Sequence, residues 1–121
     1  MSKILIVEDD IFLQGLEAGK LKKSGFDIAA ARNGTEAIAQ ITTPGIDLIL
    51  LDLILPDFDG FEVLAKIKEA KLAKPIPVIV FSNLSGDKDI EKAKKLGAVD
   101  FMVKSNFTLD ELIEHIRVLL K

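Results

Sequence analysis

Cysteine is absent from this chain of 121 residues, and no apolar stretch reaches the length of a membrane-spanning helix. Without cysteine, neither a disulfide framework nor a cysteine-based zinc site is available, and the composition suits a reducing cytoplasm. A membrane helix needs about 20 consecutive apolar residues. The N-terminal segment MSKILIVEDD reaches acidic residues after a run too short for the apolar region of a signal peptide. We therefore expect a soluble, cytoplasmic protein with no membrane segment.

An excess of positive charge is also missing. Lys and Arg number 16 against 19 Asp and Glu, which gives a net charge of −3 and a pI near 5.2. Nonspecific binding to nucleic acid or to acidic membranes needs a basic surface, so direct contact with either is not expected. The 49% hydrophobic and 29% charged residues are those of an ordinary globular protein. With no linker, repeat or low-complexity tract, residues 1–121 are expected to form one domain.

Five short apolar segments recur along the chain and predict five β-strands. They are Ile4–Val7, Phe26–Ala31, Asp47–Leu53, Pro77–Phe81 and Val99–Val103. Three of them contain the nearly continuous apolar runs ILIV, LILL and VIVF, which are rich in Ile and Val. Strands of this kind are covered on both faces, which is typical of a parallel sheet between layers of helices.

Segments with helical periodicity separate these strands. Their predicted apolar faces are Phe12, Leu16 and Gly19; Ala37, Ile38 and Ile41; Val63, Leu64 and Ile67; Ile90, Ala93 and Leu96; and Leu112, Ile113, Ile116, Leu119 and Leu120. Gly97 is expected to end the fourth helix, and Thr108 with Glu111 predicts a capping box at the start of the fifth. The strict alternation of strands and helices predicts a doubly wound α/β fold with right-handed crossovers. Periodicity leaves the strand order open.

An aspartate, Asp52, lies within the apolar run IDLILLDLIL. A carboxylate in a buried strand is costly unless it is paired, bound to a metal or exposed at the end of the strand. The segment Pro56–Gly60 that follows is a turn by composition. Asp52 is therefore predicted to lie where a buried strand ends; taken alone, a turn aspartate is the other explanation.

Polar residues follow four of the predicted strands. They are Glu8, Asp9 and Asp10 after the first, Asp52 after the third, Ser82 and Asn83 after the fourth, and Lys104 after the fifth. Ligands of open α/β sheets bind outside the carboxyl ends of the strands, so these side chains are expected to meet at one edge. Carboxylates this close cannot all ionise at pH 7 without compensation. The carboxylate oxygens are suitable ligands for Mg²⁺. The side chains of Lys104 and Ser82 are suited to binding a phosphate, and Asp52 is the candidate nucleophile for an aspartyl phosphate.

Each of these residues also has a structural explanation when taken alone. Asp10 is equally well explained as the N-cap of the first helix. The hydroxyl after the fourth strand and the lysine after the fifth are, singly, a turn residue and a solvated charge. Asp57 and Asp59 are interpreted as turn formers, Phe101 as a core aromatic, and His115, the only histidine, as a surface residue of the last helix. The joint placement on strand ends is what favours a functional site.

The motifs around these residues resemble those of receiver domains of two-component response regulators, of which the chemotaxis regulator is the single-domain type. ILIVEDD is similar to the acidic motif of the first strand, and DLILLDLILPDFDGFE to the phosphoacceptor strand and its following loop. PVIVFSN resembles the strand that ends in Ser or Thr, and DFMVK the strand that ends in Lys. The four motifs occur in the family's order and at its spacing, and the resemblance covers the whole chain.

The resemblance implies a (βα)5 flavodoxin-like fold, a five-stranded parallel sheet in the order 2-1-3-4-5 with a helix on each connection. It also implies that Asp52 is the phosphoacceptor. The Mg²⁺ ligands that it implies are Glu8, Asp9, Asp52 and the backbone carbonyl of Ile54. The phosphoryl donor would be a phosphohistidine on a sensor histidine kinase or on a histidine phosphotransfer protein.

The resemblance further implies a switch between two states. Ser82 would hydrogen-bond the phosphoryl group, and Lys104 would pair with it. Phe101 stands where the family has a Tyr or Phe that reorients inward when the Ser or Thr moves. The changed face would be that of helix 4, strand 5 and helix 5, through which such domains form homodimers or dock a downstream effector or output domain. The chain would catalyse its own phosphorylation and dephosphorylation as a signalling phosphoacceptor and would not be an enzyme.

Three features depart from the family pattern. Ser105 follows the lysine where many relatives have Pro, often across a cis bond, and KSNFTLDEL is one residue longer than the common K-P-F-T pattern. A cis bond to a non-proline residue costs about 2.5–4 kcal/mol, so the Lys104–Ser105 peptide is either trans or held cis under strain. Phe101 lacks a hydroxyl, so a switch there would act by packing alone. Ile54 and Leu84 flank the site with aliphatic side chains that do not position a water, which predicts a longer-lived aspartyl phosphate.

Two other functions are weighed against this one. A Mg²⁺-dependent phosphatase with an aspartyl nucleophile usually carries a second acid two residues later, where this chain has Ile54, and it needs a cap domain for the substrate. An interaction module that keeps the fold without being phosphorylated is the other alternative, although no member of the acid and lysine set is missing. Magnesium binding at the sheet edge would separate this module from a phosphoacceptor.

Overall fold

The computed structural model describes residues 2–70, 72 and 74–120, in which five strands alternate with five α-helices. The strands are β1 (Lys3–Val7), β2 (Asp27–Ala31), β3 (Ile46–Leu51), β4 (Val78–Ser82) and β5 (Asp100–Val103). The helices are α1 (Ile11–Lys23), α2 (Gly34–Ile41), α3 (Gly60–Glu69), α4 (Asp87–Lys95) and α5 (Leu109–Leu119), with a 3₁₀ turn at Lys104–Asn106. Within the described residues, no helix combines the length and apolar character needed to cross a membrane. Every predicted strand and helix is present.

All five strands pair in parallel in one sheet with the order β2-β1-β3-β4-β5. This order confirms the doubly wound, flavodoxin-like fold. Val7 of β1 lies opposite Ala31 on one side and Leu51 on the other, and Ser82 of β4 lies opposite Val103 of β5. Because parallel strands in this register end at the same edge, the residues that follow β1, β3, β4 and β5 come together there.

Two apolar clusters fill the space between the sheet and the helices. Leu5 and Val7 of β1 pack with residues of α2, α3 and α4, whereas Ile4 and Ile6 pack with residues of α1 and α5. All four side chains are at most 1% exposed. Burial on both faces explains why this strand is a continuous apolar run and not an alternation of apolar and polar residues.

The predicted helix signals of the last two βα units are confirmed. Gly97 follows α4 with φ of +104°, a conformation that L side chains rarely adopt. The Glu111 amide donates to the Thr108 hydroxyl, and the Thr108 amide donates to the Glu111 carboxylate. These contacts satisfy backbone groups that lack partners at helix ends.

Helix α1 buries a different face from the predicted one. Phe12 is 76% exposed and Leu16 is 48% exposed, and Gly19 is exposed as well. The buried residues of this helix are Glu17 and Leu21. The prediction of this face was wrong because an acidic residue occupies the buried stripe, so that counting apolar positions selected the wrong side.

Candidate functional site

The carboxyl ends of four strands bring the predicted polar side chains together at one edge of the sheet. They are Glu8, Asp9, Asp52, Ser82 and Lys104. The backbone ladder extends one residue past the central strands, since the Glu8 amide donates to the Ala31 carbonyl and the Asp52 amide to the Val7 carbonyl, both at 3.0 Å. These bonds fix the backbone of the two acids next to each other.

Asp52 is buried, with 6% of its surface exposed, and both of its carboxylate oxygens accept hydrogen bonds. Oδ1 accepts from the Ser82 hydroxyl at 2.7 Å and from the Ile54 amide at 3.0 Å. Oδ2 accepts from the Lys104 ammonium group at 2.6 Å. An ammonium group and two polar donors thus compensate the charge that follows this apolar strand, which removes most of the cost of its burial.

Lys104 links Asp52 to Glu8, because its ammonium group also donates to the Glu8 carboxylate. Burial raises the pKa of Glu8; the Lys104 hydrogen bond opposes this effect, and the Asp52 charge adds to it. Burial acts to lower the pKa of Lys104, but the hydrogen bonds to Asp52 and Glu8 outweigh it and raise the pKa. Burial, with a smaller contribution from the Asp52 charge, thus raises the pKa of Glu8, while the two carboxylates keep Lys104 protonated.

The acidic cluster has the donor set of a cation site. One carboxylate oxygen from each of Glu8, Asp9 and Asp52 lies within 4.8 Å of the others. Glu8 and Asp52 are buried, whereas Asp9 is exposed to solvent. Three carboxylates at a partly open edge fit a hard cation such as Mg²⁺, which prefers oxygen ligands and keeps several waters. The Ile54 carbonyl as a further ligand stays a prediction.

Three other aspartates near this edge make separate contacts. Asp10 caps α1 by accepting a hydrogen bond from the Leu13 amide at 3.1 Å, which agrees with the structural explanation for this residue. Asp59 caps α3 by accepting from the Phe61 amide at 2.9 Å. Asp57 accepts hydrogen bonds from the first residues of α2, so its interpretation as a local turn former was incomplete. The carboxylates of all three are engaged outside the acidic cluster.

The single histidine lies apart from the site, as predicted. His115 is on α5, and its Nδ1 lies 2.7 Å from Oδ2 of Asp100. Asp100 is the first residue of β5, at the opposite end of this strand from Lys104. The imidazole therefore takes no part in the acidic cluster.

The residues predicted to form a switch lie on β4 and β5. Ser82 is fully buried, and Phe101 is partly buried against the apolar cluster on the α2, α3 and α4 side of the sheet. The Lys104–Ser105 peptide is trans, because cis peptides do not occur in the described residues. The motion of Ser82 and Phe101 between two states stays a prediction.

A glutamine of α1 hydrogen-bonds the backbone next to the site, and the sequence analysis missed it. The Gln14 side-chain amide donates to the backbone oxygens of Glu8 at 3.0 Å and Ala31 at 3.1 Å. It thereby ties α1 to the carboxyl ends of β1 and β2. The sequence could not predict this contact, because a polar residue one turn after the acidic motif is equally typical of an exposed helix position.

A buried glutamate, Glu17, was also missed. It is 2% exposed, and its Oε2 has no hydrogen-bond partner among the described residues. Burial raises the pKa of Glu17 to about 8, and the Glu8 charge adds to this effect. Its position was accessible from the sequence, since it lies four residues before Leu21 and four after Leu13, the spacing of one helix face.

A family model and curated relatives match this chain. The model described as the response regulator receiver domain matches residues 4–117. The transcriptional regulatory protein TrcR of Mycobacterium tuberculosis is 34% identical over 121 residues, which cover 98% of this chain and 45% of that protein. The transcriptional regulatory protein CpxR homolog of Haemophilus influenzae is 36% identical, and the match covers 100% of this chain and 51% of that protein. The chain thus spans about half the length of the curated relatives that it matches.

Solved structures agree with this match. A two-component response regulator from Clostridium difficile superposes with a TM-score of 0.91 at 30% identity, covering 99% of this chain and 96% of that chain. The sheet order, the polar residues at its carboxyl edge and the sequence match all lead to one assignment. The chain belongs to the response regulator receiver domain family.

Proposed function

We propose that this receiver domain is a Mg²⁺-dependent phosphoacceptor that takes a phosphoryl group from phosphohistidine onto Asp52. The supporting observation is the set of contacts around Asp52, a buried carboxylate bonded to Ser82 and Lys104 beside two further acids. A turn aspartate would not explain why a hydroxyl, a lysine and two acids converge on it from three other strands.

The proposed chemistry is a transfer between two nucleophiles. An oxygen of Asp52 attacks phosphorus and a P–O bond forms, while the P–N bond of the donor breaks and its electron pair leaves on the imidazole. Lys104 pairs with the transferred group, and Ser82 donates a hydrogen bond to it. Glu8, Asp9 and Asp52 would hold Mg²⁺, which would supply positive charge to offset that of the phosphoryl oxygens. The reaction needs little else, because phosphoryl transfer depends mainly on placement and charge compensation.

The proposed output is a change of conformation. The phosphoryl group shifts an equilibrium only through contacts that differ between the two states, here those to Ser82 and Lys104. Ser82 is the last residue of β4, and Lys104 directly follows β5, which carries Phe101 and contributes to the surface of α4, β5 and α5. We propose this surface for homodimerisation or for docking an effector or output domain.

The proposed partners follow from this role. A sensor histidine kinase or a histidine phosphotransfer protein supplies the phosphoryl group, and residues 1–121 act as one receiving domain in the cytoplasm. The relatives named above are transcriptional regulatory proteins about twice as long as this chain, which supports an output of that kind. The acidic net charge of −3 supports contact with DNA through another domain and not through this one.

Intact-mass measurement after incubation with acetyl phosphate tests the proposal. The wild type is expected to gain one phosphoryl group in the presence of Mg²⁺ and none when the metal is chelated. The Asp52→Ala variant is expected to gain none, because the nucleophile is removed. Asp27→Ala is the matched control, since Asp27 is an exposed aspartate at the start of β2, and it is expected to be labelled like the wild type.

Other outcomes would contradict the proposal. Label retained by Asp52→Ala would place the acceptor elsewhere. Steady hydrolysis of a phosphate ester by unlabelled protein would favour the phosphatase. A folded wild type that neither binds Mg²⁺ nor accepts a phosphoryl group from a histidine kinase would favour the interaction module.

Ile54 is predicted to lengthen the lifetime of the aspartyl phosphate. Ile54 is 53% exposed, two residues after Asp52, and its aliphatic side chain cannot hydrogen-bond an attacking water. The Ile54→Asn variant is expected to lose its phosphoryl group roughly three- to tenfold faster, which is less than a full general base provides. The measurement is the decay of the phosphorylated mass after the donor is removed. A wild-type lifetime no longer than that of Ile54→Asn would contradict this prediction.

A further inference from the structure

Asp57 joins the loop between β3 and α3 to the start of α2. Its Oδ1 accepts from the Gly34 amide at 2.7 Å, and its Oδ2 accepts from the Thr35 amide at 2.9 Å and the Thr35 hydroxyl at 2.7 Å. The Phe58 amide donates to Oδ1 at 2.8 Å. Desolvation acts to raise the pKa of Asp57, but the hydrogen bonds from Thr35, Gly34 and Phe58 outweigh it and lower the pKa. The contact is therefore made by an ionised carboxylate.

The loop and α2 also fit closely at the neighbouring residue. A Cβ added at Gly34 would lie 2.7 Å from Cδ2 of the Phe58 ring and 3.2 Å from Oδ1 of Asp57. Gly34 is buried in this contact. We call the contact of Asp57 and Phe58 with Gly34 and Thr35 the clasp. It combines charge-assisted hydrogen bonds with apolar contact.

The clasp holds the loop that leads away from Asp52. At the start of the loop the Ile54 amide donates to Oδ1 of Asp52, and at its end the Gly60 amide donates to the Leu53 carbonyl, both at 3.0 Å. Both bonds stay within one βα unit. Among the described hydrogen bonds of residues 53–59, only those of Asp57 reach another unit. The clasp thus supplies the hydrogen bonds that tie this loop to another βα unit, in addition to the apolar packing of Leu53 in the core.

The clasp also lies beside the exposed acid of the cluster. Asp9, Asn33 and Pro56 border one surface cavity, so the β1–α1, β2–α2 and β3–α3 connections meet there. Pro56 directly precedes Asp57, and Asn33 directly precedes Gly34. A loop released from α2 would therefore move relative to Asp9.

We propose that Asp57 is a positioning residue for the cation site, because its clasp to α2 sets the place of the Ile54 backbone relative to Glu8, Asp9 and Asp52. The inference rests on the proposed Mg²⁺ binding. Asp57 acts through the loop and not as a ligand, since both of its oxygens face α2 and the Phe58 amide. Groups that support metal ligands in this way typically change metal affinity by about 10–100-fold when they are replaced.

The Asp57→Asn variant tests the inference. Asparagine keeps one acceptor oxygen but turns an NH₂ group toward the donors of Gly34 or Thr35. By calorimetry, the Kd for Mg²⁺ is expected to rise about tenfold. The Mg²⁺ concentration for half-maximal phosphorylation should rise by the same factor, while the rate at saturating Mg²⁺ stays within about twofold of the wild type. In the metal-free protein, hydrogen exchange of the Gly34 and Thr35 amides is expected to accelerate.

Asp59→Asn is the matched control, because Asp59 lies in the same loop but caps only its own helix. It is expected to leave the affinity for Mg²⁺ unchanged, and Thr35→Val, which removes one donor of the clasp, should raise the Kd less than Asp57→Asn does. Wild-type affinity in Asp57→Asn, with faster exchange at Gly34 and Thr35, would make the clasp a purely structural contact and overturn the inference. A wild type that binds no Mg²⁺ would instead overturn the proposed function, and the inference with it.

Discussion

Replacing Glu17 with glutamine is expected to raise the free energy of unfolding at pH 8 by roughly 3–5 kcal/mol and to change it little below pH 4.5. Glu17 is buried in α1, its Oε2 has no hydrogen-bond partner in the part of the chain that the structure describes, and burial raises its pKa from 4.5 to about 8. Ionising the carboxyl group in this position is therefore costly. Glutamine has nearly the same shape and is neutral at every pH. Chemical denaturation of both proteins across this pH range measures the difference.

The direction of the effect follows from the proton balance. Between pH 4.5 and about 8, the folded protein holds a proton on Glu17 that the unfolded chain has released, so the stability of the wild type falls as the pH rises. The contribution is fully present below pH 4.5 and is lost as the pH passes through about 8. Glu114→Gln is the control, because Glu114 is an exposed glutamate of α5. Parallel pH profiles for the wild type and Glu17→Gln would contradict a buried, protonated Glu17.

Replacing Lys104 with methionine is expected to lower the free energy of unfolding by about 3–5 kcal/mol in the absence of Mg²⁺. The Lys104 side chain is 12% exposed, and those of Glu8 and Asp52 are 3% and 7% exposed. Methionine keeps the apolar contacts of the lysine stem but leaves two buried carboxylates without positive charge. Mg²⁺ is expected to recover part of the loss, because binding to the same carboxylates favours the folded state. Urea denaturation with and without Mg²⁺ measures both effects.

Lys74→Met is the matched control for Lys104→Met. Lys74 pairs with Asp47 at 2.6 Å, but its side chain is 61% exposed. Exposed pairs contribute only about 0–1 kcal/mol, so a small loss is expected. Equal losses in the two variants, or a loss in Lys104→Met that Mg²⁺ leaves unchanged, would contradict the role of Lys104 as the counter-charge of the acidic cluster.

The fold class could be predicted because strands buried on both faces leave continuous apolar runs in the sequence. The run ILIV is an example, since Ile4, Leu5, Ile6 and Val7 are all nearly inaccessible to solvent. Periodicity could not give the strand order, because these strands are apolar in the same way; the order came from the family resemblance. The buried face of α1 was predicted wrongly for a related reason. Counting apolar positions assumes that acidic residues are exposed, so it gives the wrong face when a glutamate is buried.

The site could be predicted where topology alone decides it. Parallel strands end at one edge of the sheet, and this alone brings together the residues that end or follow these strands. They are Glu8, Asp52, Ser82 and Lys104. The contact of Asp57 with Gly34 spans 23 residues of sequence and depends on how two loops fit together. Nothing in the segment PDFDG distinguishes the aspartate that caps its own helix from the one that reaches another.

Both oxygens of Asp52 are already engaged, Oδ1 by Ser82 and the Ile54 amide and Oδ2 by Lys104. An oxygen that attacks phosphorus has to give up part of these bonds, which adds to the barrier for any donor. A small metabolite meets that barrier unaided, whereas a docked partner protein can offset it with binding energy. In a receiver domain, the hydrogen bonds of the unphosphorylated state would therefore keep the rate of phosphorylation by small metabolites low when no signal is present. The hydrogen bonds that hold Asp52 in place would then also limit its phosphorylation by donors other than the partner protein.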